Sequence, residues 1–179
     1  MGSGTVLSCD ISMNTKLNAE ERALYQNPNE IRQLLGTANT IAMVGLSDKP
    51  ERPSNFVASY LISEGYKVIP VNPRKEEILG QKSYPDLKSI PEKVDVVDIF
   101  RAAPFCGPIV EKAIEIGAKA VWLQLGILNR DAAAAAKEAG LISIMDRCVK
   151  MEHGRYNGSL HWVGMNTEII SAKKAKRFF

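Results

Sequence analysis

The chain has 179 residues, a formal net charge of +3, 45% hydrophobic residues and 24% charged residues, which is typical of one globular domain with short tails. No apolar run reaches the roughly 18 to 20 residues that cross a bilayer, and the start lacks the basic and apolar regions of a secretory signal, so we expect a cytoplasmic protein that does not enter a membrane. The three cysteines are widely spaced, which argues against a disulfide framework or a zinc site.

The first predicted structure is helical. Asn18, followed by acidic residues, is typical of a helix N-terminus. Pro28 restarts the helix, and apolar residues at helical spacing continue it up to Gly36. Residues 1–13 ahead of it are predicted to be a disordered tail or an expression remnant.

Five short apolar segments follow, and helices are predicted between most of them. The predicted strands are residues 40–44, 67–71, 94–100, 119–125 and 141–145. They are apolar and β-branched rather than strictly alternating, which is typical of strands buried on both faces of a parallel sheet. We therefore predict a Rossmann-like, doubly wound α/β fold with an N-terminal helical extension and a five-stranded parallel sheet in the order 3-2-1-4-5.

The connections differ in character. Helices are predicted over 55–64 with Ser54 as the cap, from Pro108 to Gly117, and from Asn129 to Gly140. The segment between the second and third strands is rich in turn residues. Residues 14–150 are thus predicted to form one folded domain.

Residues 151–179 are predicted to be a C-terminal extension, with 160–163 as a candidate strand. Its last residues carry four positive charges and no acidic residue, at Lys173, Lys174, Lys176 and Arg177. Without these charges the chain is close to neutral. Because a short terminal basic run is usually solvated, nucleic-acid binding is not favoured.

The loop after the first strand carries the clearest binding signal. In an open parallel sheet, ligands bind at the carboxyl ends of the strands where the strand order reverses, here expected between strands one and four. The loop supplies a glycine for a tight turn, hydroxyls, two cations and a helix start whose backbone N–H groups attract anions. These residues are Gly45, Ser47, Lys49, Arg52, Ser54 and Asn55. They predict phosphate binding, against the alternative of an ordinary polar loop.

The loop after the second strand argues against a classical NAD site. Such a site usually has an acidic residue here to hold the ribose hydroxyls, but this chain has Asn72, Pro73 and Arg74, followed by Lys75. The two cations favour a phosphorylated ribose, and a solvated turn is the alternative. The first loop also has one glycine instead of the GxGxxG pattern.

The remaining strand ends offer further candidates. Arg101 follows the third strand and is able to meet a phosphate or pair with an acidic neighbour, and Gln124 and Gly126 follow the fourth. Cys148 follows the fifth strand, but both histidines lie beyond residue 150. A nucleophilic thiol needs a base or another stabiliser, so an inert buried cysteine is favoured. These residues give no complete catalytic constellation.

The order of these motifs resembles a known family. The matching segments are residues 44–47 with Arg52, Ser54 and Asn55, then 65–73, 78–80 with Tyr84, 94–100, 121–126 and 145–148. The run from about 41 to 155 resembles the small stand-alone bacterial and archaeal CoA-binding proteins of the YccU type. Their domain is similar to the CoA-binding domain of the succinyl-CoA synthetase α subunit.

The resemblance implies that residues 14–150 bind coenzyme A or an acyl-CoA. It implies that Gly45, Ser47 and Lys49 lie against the pyrophosphate, and that Asn72, Pro73 and Arg74 lie near the adenosine. Phe100 and Arg101 would border the ligand, and Gln124 and Gly126 would close the pantetheine side. Leu46 stands where the family commonly has alanine and is expected to narrow the site.

The larger ligases of that superfamily use a phosphorylated histidine in one further domain and a nucleotide-grasping domain, which do not fit in the residues available. We therefore expect a non-catalytic CoA carrier, sensor or partner subunit, with a protein partner or a homo-oligomer left open. Two alternatives stay open as well. One is an NADP-dependent oxidoreductase, and the other is a thiol-linked function in which Cys148 forms a mixed disulfide with CoA.

Overall fold

The computed structural model describes residues 16–157. Within this range the N-terminal prediction is confirmed, because two short helices precede the first strand. Helix α1 (Ala19–Tyr25) begins with a capping box between Asn18 and Glu21, and α2 (Pro28–Thr37) is capped by Asn27. The start of the chain at 1–13, the candidate strand at 160–163 and the basic tail lie outside the described residues.

A five-stranded parallel sheet follows, as predicted, with helices between most strands. Its strands are β1 (Thr40–Val44), β2 (Lys67–Val71), β5 (Val96–Ile99), β6 (Ala120–Leu123) and β7 (Ile142–Met145). The helices beyond β1 are α3 (Pro53–Ser63), α4 (Cys106–Glu115), α5 (Arg130–Glu138) and α6 (Val149–Tyr156). The turn-rich segment after β2 forms a two-stranded antiparallel hairpin of β3 (Glu77–Ile78) and β4 (Gln81–Lys82).

The predicted strand order is wrong. The observed order is β2-β1-β5-β6-β7, so the third long strand lies beside the first instead of beyond the second. The outer side of β2 is already occupied, since the Tyr84 N–H donates to Pro70 O at 2.9 Å and Tyr84 O accepts from the Asn72 N–H at 2.9 Å. Strand β5 is buried along its whole length, including Asp98, which requires a neighbour on each side. The order therefore reverses between β1 and β5.

The sheet is covered on both faces, as the doubly wound prediction requires. One apolar cluster packs α4 and α5 against residues such as Val97 and Leu123. The other packs α2, α3 and the start of α6 against residues such as Met43 and Trp122. The site at the carboxyl edge thus lies between two closed layers of core.

Helix α6 was not predicted, because its buried side is polar. Glu152 is buried and lies 3.2 Å from an Arg155 nitrogen and 3.7 Å from one of Arg147. His153 is buried as well, with its Nδ1 3.0 Å from the Tyr60 hydroxyl. Ion pairing replaces apolar periodicity here, so the usual helical pattern is missing.

Candidate ligand-binding site

Gly45 brings the ends of β1 and β5 together. Its φ is +87°, and a Cβ atom placed there would lie 2.8 Å from Phe100 O and 2.9 Å from the Arg101 Cδ. Its N–H also donates to Val71 O at 3.0 Å. Glycine is therefore required both for the left-handed backbone and for the close approach of the neighbouring strand.

The loop between β1 and α3 is held by its own side chains. The Ser47 N–H donates to Ser54 Oγ at 3.1 Å, and Asn55 Nδ2 donates to Ser47 O at 2.9 Å. The prediction that Ser54 caps a helix starting at 55 is wrong. Helix α3 starts at Pro53, a residue that suits the first helical turn, with Arg52 at the cap position and no side-chain cap bond. The Ser54 hydroxyl accepts from the Ser47 N–H instead.

Asn72 joins the loops after β1 and β2. Its Nδ2 donates to Leu46 O at 2.8 Å, and its Oδ1 accepts from the Arg74 N–H at 2.9 Å. The Leu46 side chain is fully buried in the core cluster under α3. Both the nitrogen and the oxygen of the Asn72 side-chain amide are thus engaged in shaping the cleft.

An ion pair crosses the same two loops. Lys75 Nζ lies 2.6 Å from the Asp48 carboxylate, with both side chains nearly half exposed. The hydrogen bond from Lys75 is the main cause that lowers the pKa of Asp48. Lys75 is therefore partly neutralised, which leaves Arg74 as the cation of this loop that lines the cleft.

Two cavities lie side by side along the carboxyl edge. The first has a volume of about 320 Å³ and sits over β1 and β2. Its lining combines the backbone of the glycine turn with polar and cationic side chains, among them Ser47, Asn72, Arg74 and Arg101. This cavity, hereafter the polar cavity, has the donors that a phosphate group needs.

The second cavity has a volume of about 470 Å³ and lies over β5 and β6, between the starts of α3 and α6. Its walls are mainly apolar and come from Pro53, Val57, Phe100, Leu125, Ile127 and Met151. Gln124 and Cys148 also reach it. We call it the apolar cavity. Arg101 lines both cavities, so they are neighbours along the edge where the strand order reverses.

A buried polar network lies below the apolar cavity. Gln124 Nε2 donates to Asp98 Oδ1 at 2.7 Å, and Gln124 Oε1 accepts from the Val149 N–H at 3.3 Å. Asp98 is fully buried, and this burial raises its pKa to about 7. Among the described residues, no group pairs with Asp98 Oδ2. The two hydrogen bonds of Gln124 fix the start of α6 relative to the sheet, because one reaches Asp98 on β5 and the other the Val149 N–H.

Cys148 stands at the cap position of α6. Burial raises the pKa of its thiol, and the backbone N–H groups of Lys150 and Met151 only partly oppose this. Since the thiolate is the reactive form, the environment keeps the sulfur in its less nucleophilic state.

Within residues 16–157, no group of three or more His, Cys, Asp or Glu is arranged to hold a metal ion.

The structure brings most predicted residues to this edge, in unequal roles. Those that line the cavities are Gly45, Ser47, Asn72, Pro73, Arg74, Phe100, Arg101 and Gln124. Ser54 and Asn55 support the loop from below. Lys49 and Arg52 are exposed beside the cleft and line neither cavity. Gly126 donates its N–H to Asp146 Oδ1 at 2.7 Å, so it orders a loop at the rim.

Several residues of the cleft were not predicted. Val57 and Pro53 come from one face of α3, at i and i+4, and Met151 lies three residues beyond Cys148 on α6. The spacing of Pro53 and Val57 puts them on one face of α3, and this signal is present in the sequence alone. Met151 could be predicted only if α6 were, and the buried polar residues of α6 hide its helical pattern.

No helix in the described part of the chain is long and apolar enough to cross a membrane.

Comparison with known proteins places this geometry in a family. The model of a CoA binding domain matches residues 39–154, well over half of the chain. The uncharacterized protein YneT of Bacillus subtilis (strain 168) is 40% identical over 130 residues, which are 72% of this chain and 96% of that protein. A solved structure of a hypothetical protein from Pyrococcus horikoshii OT3 has 47% identity and a TM-score of 0.70, and the match covers 72% of this chain and 91% of that one.

A more distant likeness connects the chain with larger enzymes. The α subunit of the ADP-forming acetate–CoA ligase II of Pyrococcus furiosus is 38% identical over 82 residues, which are 45% of this chain and only 17% of that subunit. The likeness is thus confined to a small part of the ligase. Together these matches confirm the resemblance found in the sequence: the chain belongs to the CoA-binding domain family.

Proposed function

We propose that this protein binds coenzyme A across the carboxyl edge of the sheet and performs no chemical step of its own. The observation that carries the proposal is the meeting of a polar and an apolar cavity at Arg101. Coenzyme A has the same division, since a charged phosphoadenosine end is joined through a pyrophosphate to a long uncharged pantetheine arm. Family membership supports the same ligand.

In this arrangement the pyrophosphate lies at the glycine turn, within reach of Ser47 and Arg101. The phosphorylated adenosine end takes the polar cavity, where Arg74 supplies charge. The pantetheine arm extends past Arg101 into the apolar cavity. A carrier, sensor or partner-subunit role fits this assignment, because no described side chain of the cleft is poised as an acid, base or nucleophile.

The apolar cavity favours CoA over NADP. Both ends of a dinucleotide are polar, so its nicotinamide ribose would lie against Val57, Phe100 and Met151 without hydrogen-bond partners. We assign no thiol chemistry to Cys148, because burial raises the pKa of its thiol and disfavours the reactive thiolate.

Isothermal titration calorimetry tests the proposal with CoA, 3′-dephospho-CoA and NADPH. We expect CoA to bind more tightly than NADPH, and the loss of the 3′-phosphate to weaken binding in the parent but not in Arg74→Gln. Arg101→Gln should lower the CoA affinity about 10- to 100-fold, the effect of losing one charge-assisted hydrogen bond.

The matched control is Arg32→Gln, which alters an exposed arginine on α2 that lines neither cavity. It should bind CoA like the parent protein. Absence of heat with millimolar CoA, while circular dichroism shows an intact fold, would contradict the proposal. Tighter binding of NADPH than of CoA would contradict it as well.

A further inference from the structure

The apolar cavity is lined mainly by apolar side chains, at the end of the cleft that takes the pantetheine arm. Its volume is about 470 Å³, against about 320 Å³ for the polar cavity. Pantetheine enters it as a slender chain that ends in a thiol. Apolar walls around that end would contact an apolar group attached to the sulfur.

Few side chains at the cavity are able to bind a charged ligand group. Both ends of the Gln124 amide are hydrogen-bonded within the protein, to Asp98 and to the Val149 N–H. Arg101 is the one charged residue among those that line the cavity, and it also faces the polar cavity, where a phosphate would take it. Among the lining side chains a carboxylate on the ligand would thus find no further cation, so an uncharged apolar group fits the walls better.

Leu125 marks the mouth of the cavity. It follows β6, lines the cavity and is 50% exposed. A substitution there therefore alters the entrance to the cavity and not its buried wall.

We propose that the apolar cavity holds the acyl chain of a short- to medium-chain aliphatic acyl-CoA thioester, so that the preferred ligand is acylated CoA and not free CoA. The inference rests on the proposed function and names the class of ligand for the same cleft. The occupant follows from adjacency, because Arg101 lines both the apolar cavity and the polar cavity assigned to the nucleotide.

The test is a calorimetric titration of the full chain with CoA, acetyl-CoA, butanoyl-CoA, hexanoyl-CoA and succinyl-CoA. We expect the affinity to rise about fourfold for each methylene buried, until the cavity is full. Butanoyl-CoA should therefore bind at least tenfold more tightly than acetyl-CoA. The heat capacity change of binding should become more negative with chain length, which a polar contact would not produce.

Leu125→Asp introduces a carboxylate at the mouth without altering a buried position, and it should reduce the gain from acetyl to hexanoyl to less than threefold. The matched control is Leu24→Asp, which changes a leucine on α1 of similar exposure, 46%, outside both cavities. It should keep the full dependence on chain length. Circular dichroism verifies that both variants are folded.

The two proposals fail in different ways. If CoA and all four thioesters bind with equal affinity, or succinyl-CoA binds most tightly, the acyl assignment is wrong while CoA binding stands. If neither CoA nor any thioester binds, both proposals are wrong. Retention of the chain-length dependence in Leu125→Asp would also overturn the acyl assignment.

Discussion

Asp98 is a carboxylic acid in the middle of a buried strand, and burial raises its pKa to about 7 from an ordinary value of 3.8. Between these two values the folded protein holds a proton that the unfolded chain has lost. The free energy of unfolding therefore decreases as the pH rises from about 4 to about 7, and the contribution levels off above that range. The loss is on the order of 4 kcal/mol, at about 1.4 kcal/mol for each unit of pKa.

Asp98→Asn should remove this dependence, because the amide is neutral and its oxygen still accepts from Gln124. Relative to the parent, the variant is expected to gain stability between pH 5 and pH 7 and to show little further gain by pH 8. Urea denaturation at four pH values across this range measures the difference. A difference that stays constant with pH would show that Asp98 is ionised throughout.

Gly45 and Gly65 offer a matched pair, since both have positive φ, +87° and +93°, but only the first is crowded. Gly65→Ala should lower the free energy of unfolding by about 1 to 2 kcal/mol from backbone conformation alone. Gly45→Ala should lower it by about 1 to 3 kcal/mol more, since its Cβ would meet Phe100 O. Thermal and urea unfolding of the two variants provide the comparison, and equal losses would contradict the role given to the close strand approach.

At the scale of residues, the strand ends were predictable but their roles were not. Burial on both faces fixes where a parallel strand ends, which is why Gly45, Asn72 and Arg101 were found. Whether a polar side chain points at a ligand or at another loop depends on contacts distant in sequence. Asn72 and Gln124 have their amides engaged by Leu46, Asp98 and Val149, and no local pattern reveals such partners.

Among the secondary-structure elements, the β3–β4 hairpin carries an unusual turn. Leu79 and Gly80 both have positive φ, 55° and 70°, the geometry of a tight turn that favours Asn-Gly. Leu79 is largely exposed and lacks a local reason to adopt this conformation. Leu79→Asn should therefore raise the free energy of unfolding by about 0.5 to 1 kcal/mol.

Leu79→Lys is the control for that substitution, because it also removes exposed apolar surface but keeps an unfavourable residue in the turn. It should give no comparable gain. Chemical denaturation of both variants decides the point. A gain of similar size in both would assign the effect to the removal of exposed apolar surface and not to the backbone.

The errors at this scale have a common cause. Helix α6 was not predicted, because the buried side of this helix carries the ion-paired Glu152 where an apolar residue would be expected. The predicted strand order was wrong, because the backbone of Tyr84 is hydrogen-bonded along the outer side of β2. Local periodicity identifies an element that packs by apolar contacts. It does not report which neighbour the element chooses, since that depends on which edges remain open.

At the scale of the whole molecule, the segment that joins α1 to α2 covers the β7 edge of the sheet. At the β7 edge, the buried Gln26 between α1 and α2 donates from Nε2 to Met145 O at 3.0 Å and to Asp146 O at 3.3 Å. Gln26→Ala would leave these carbonyls without that donor, and the free energy of unfolding should fall by about 1 to 3 kcal/mol. Urea denaturation measures the loss, and Gln33→Ala, which removes an exposed glutamine side chain on α2, is the control. A loss no larger than in the control would contradict this role.

The same contact has a practical consequence for solubility. The family match begins at residue 39, whereas the side chains that cover the end of β7, Tyr25 and Gln26, precede it. A fragment cut at residue 39 would keep the residues that line both cavities but would lose α2 from one face of the sheet and the cover of the β7 end. An uncovered strand edge is a template for pairing with other chains. We expect such a fragment to aggregate on concentration, so the stretch before the family match acts as a solubility cap for the binding domain.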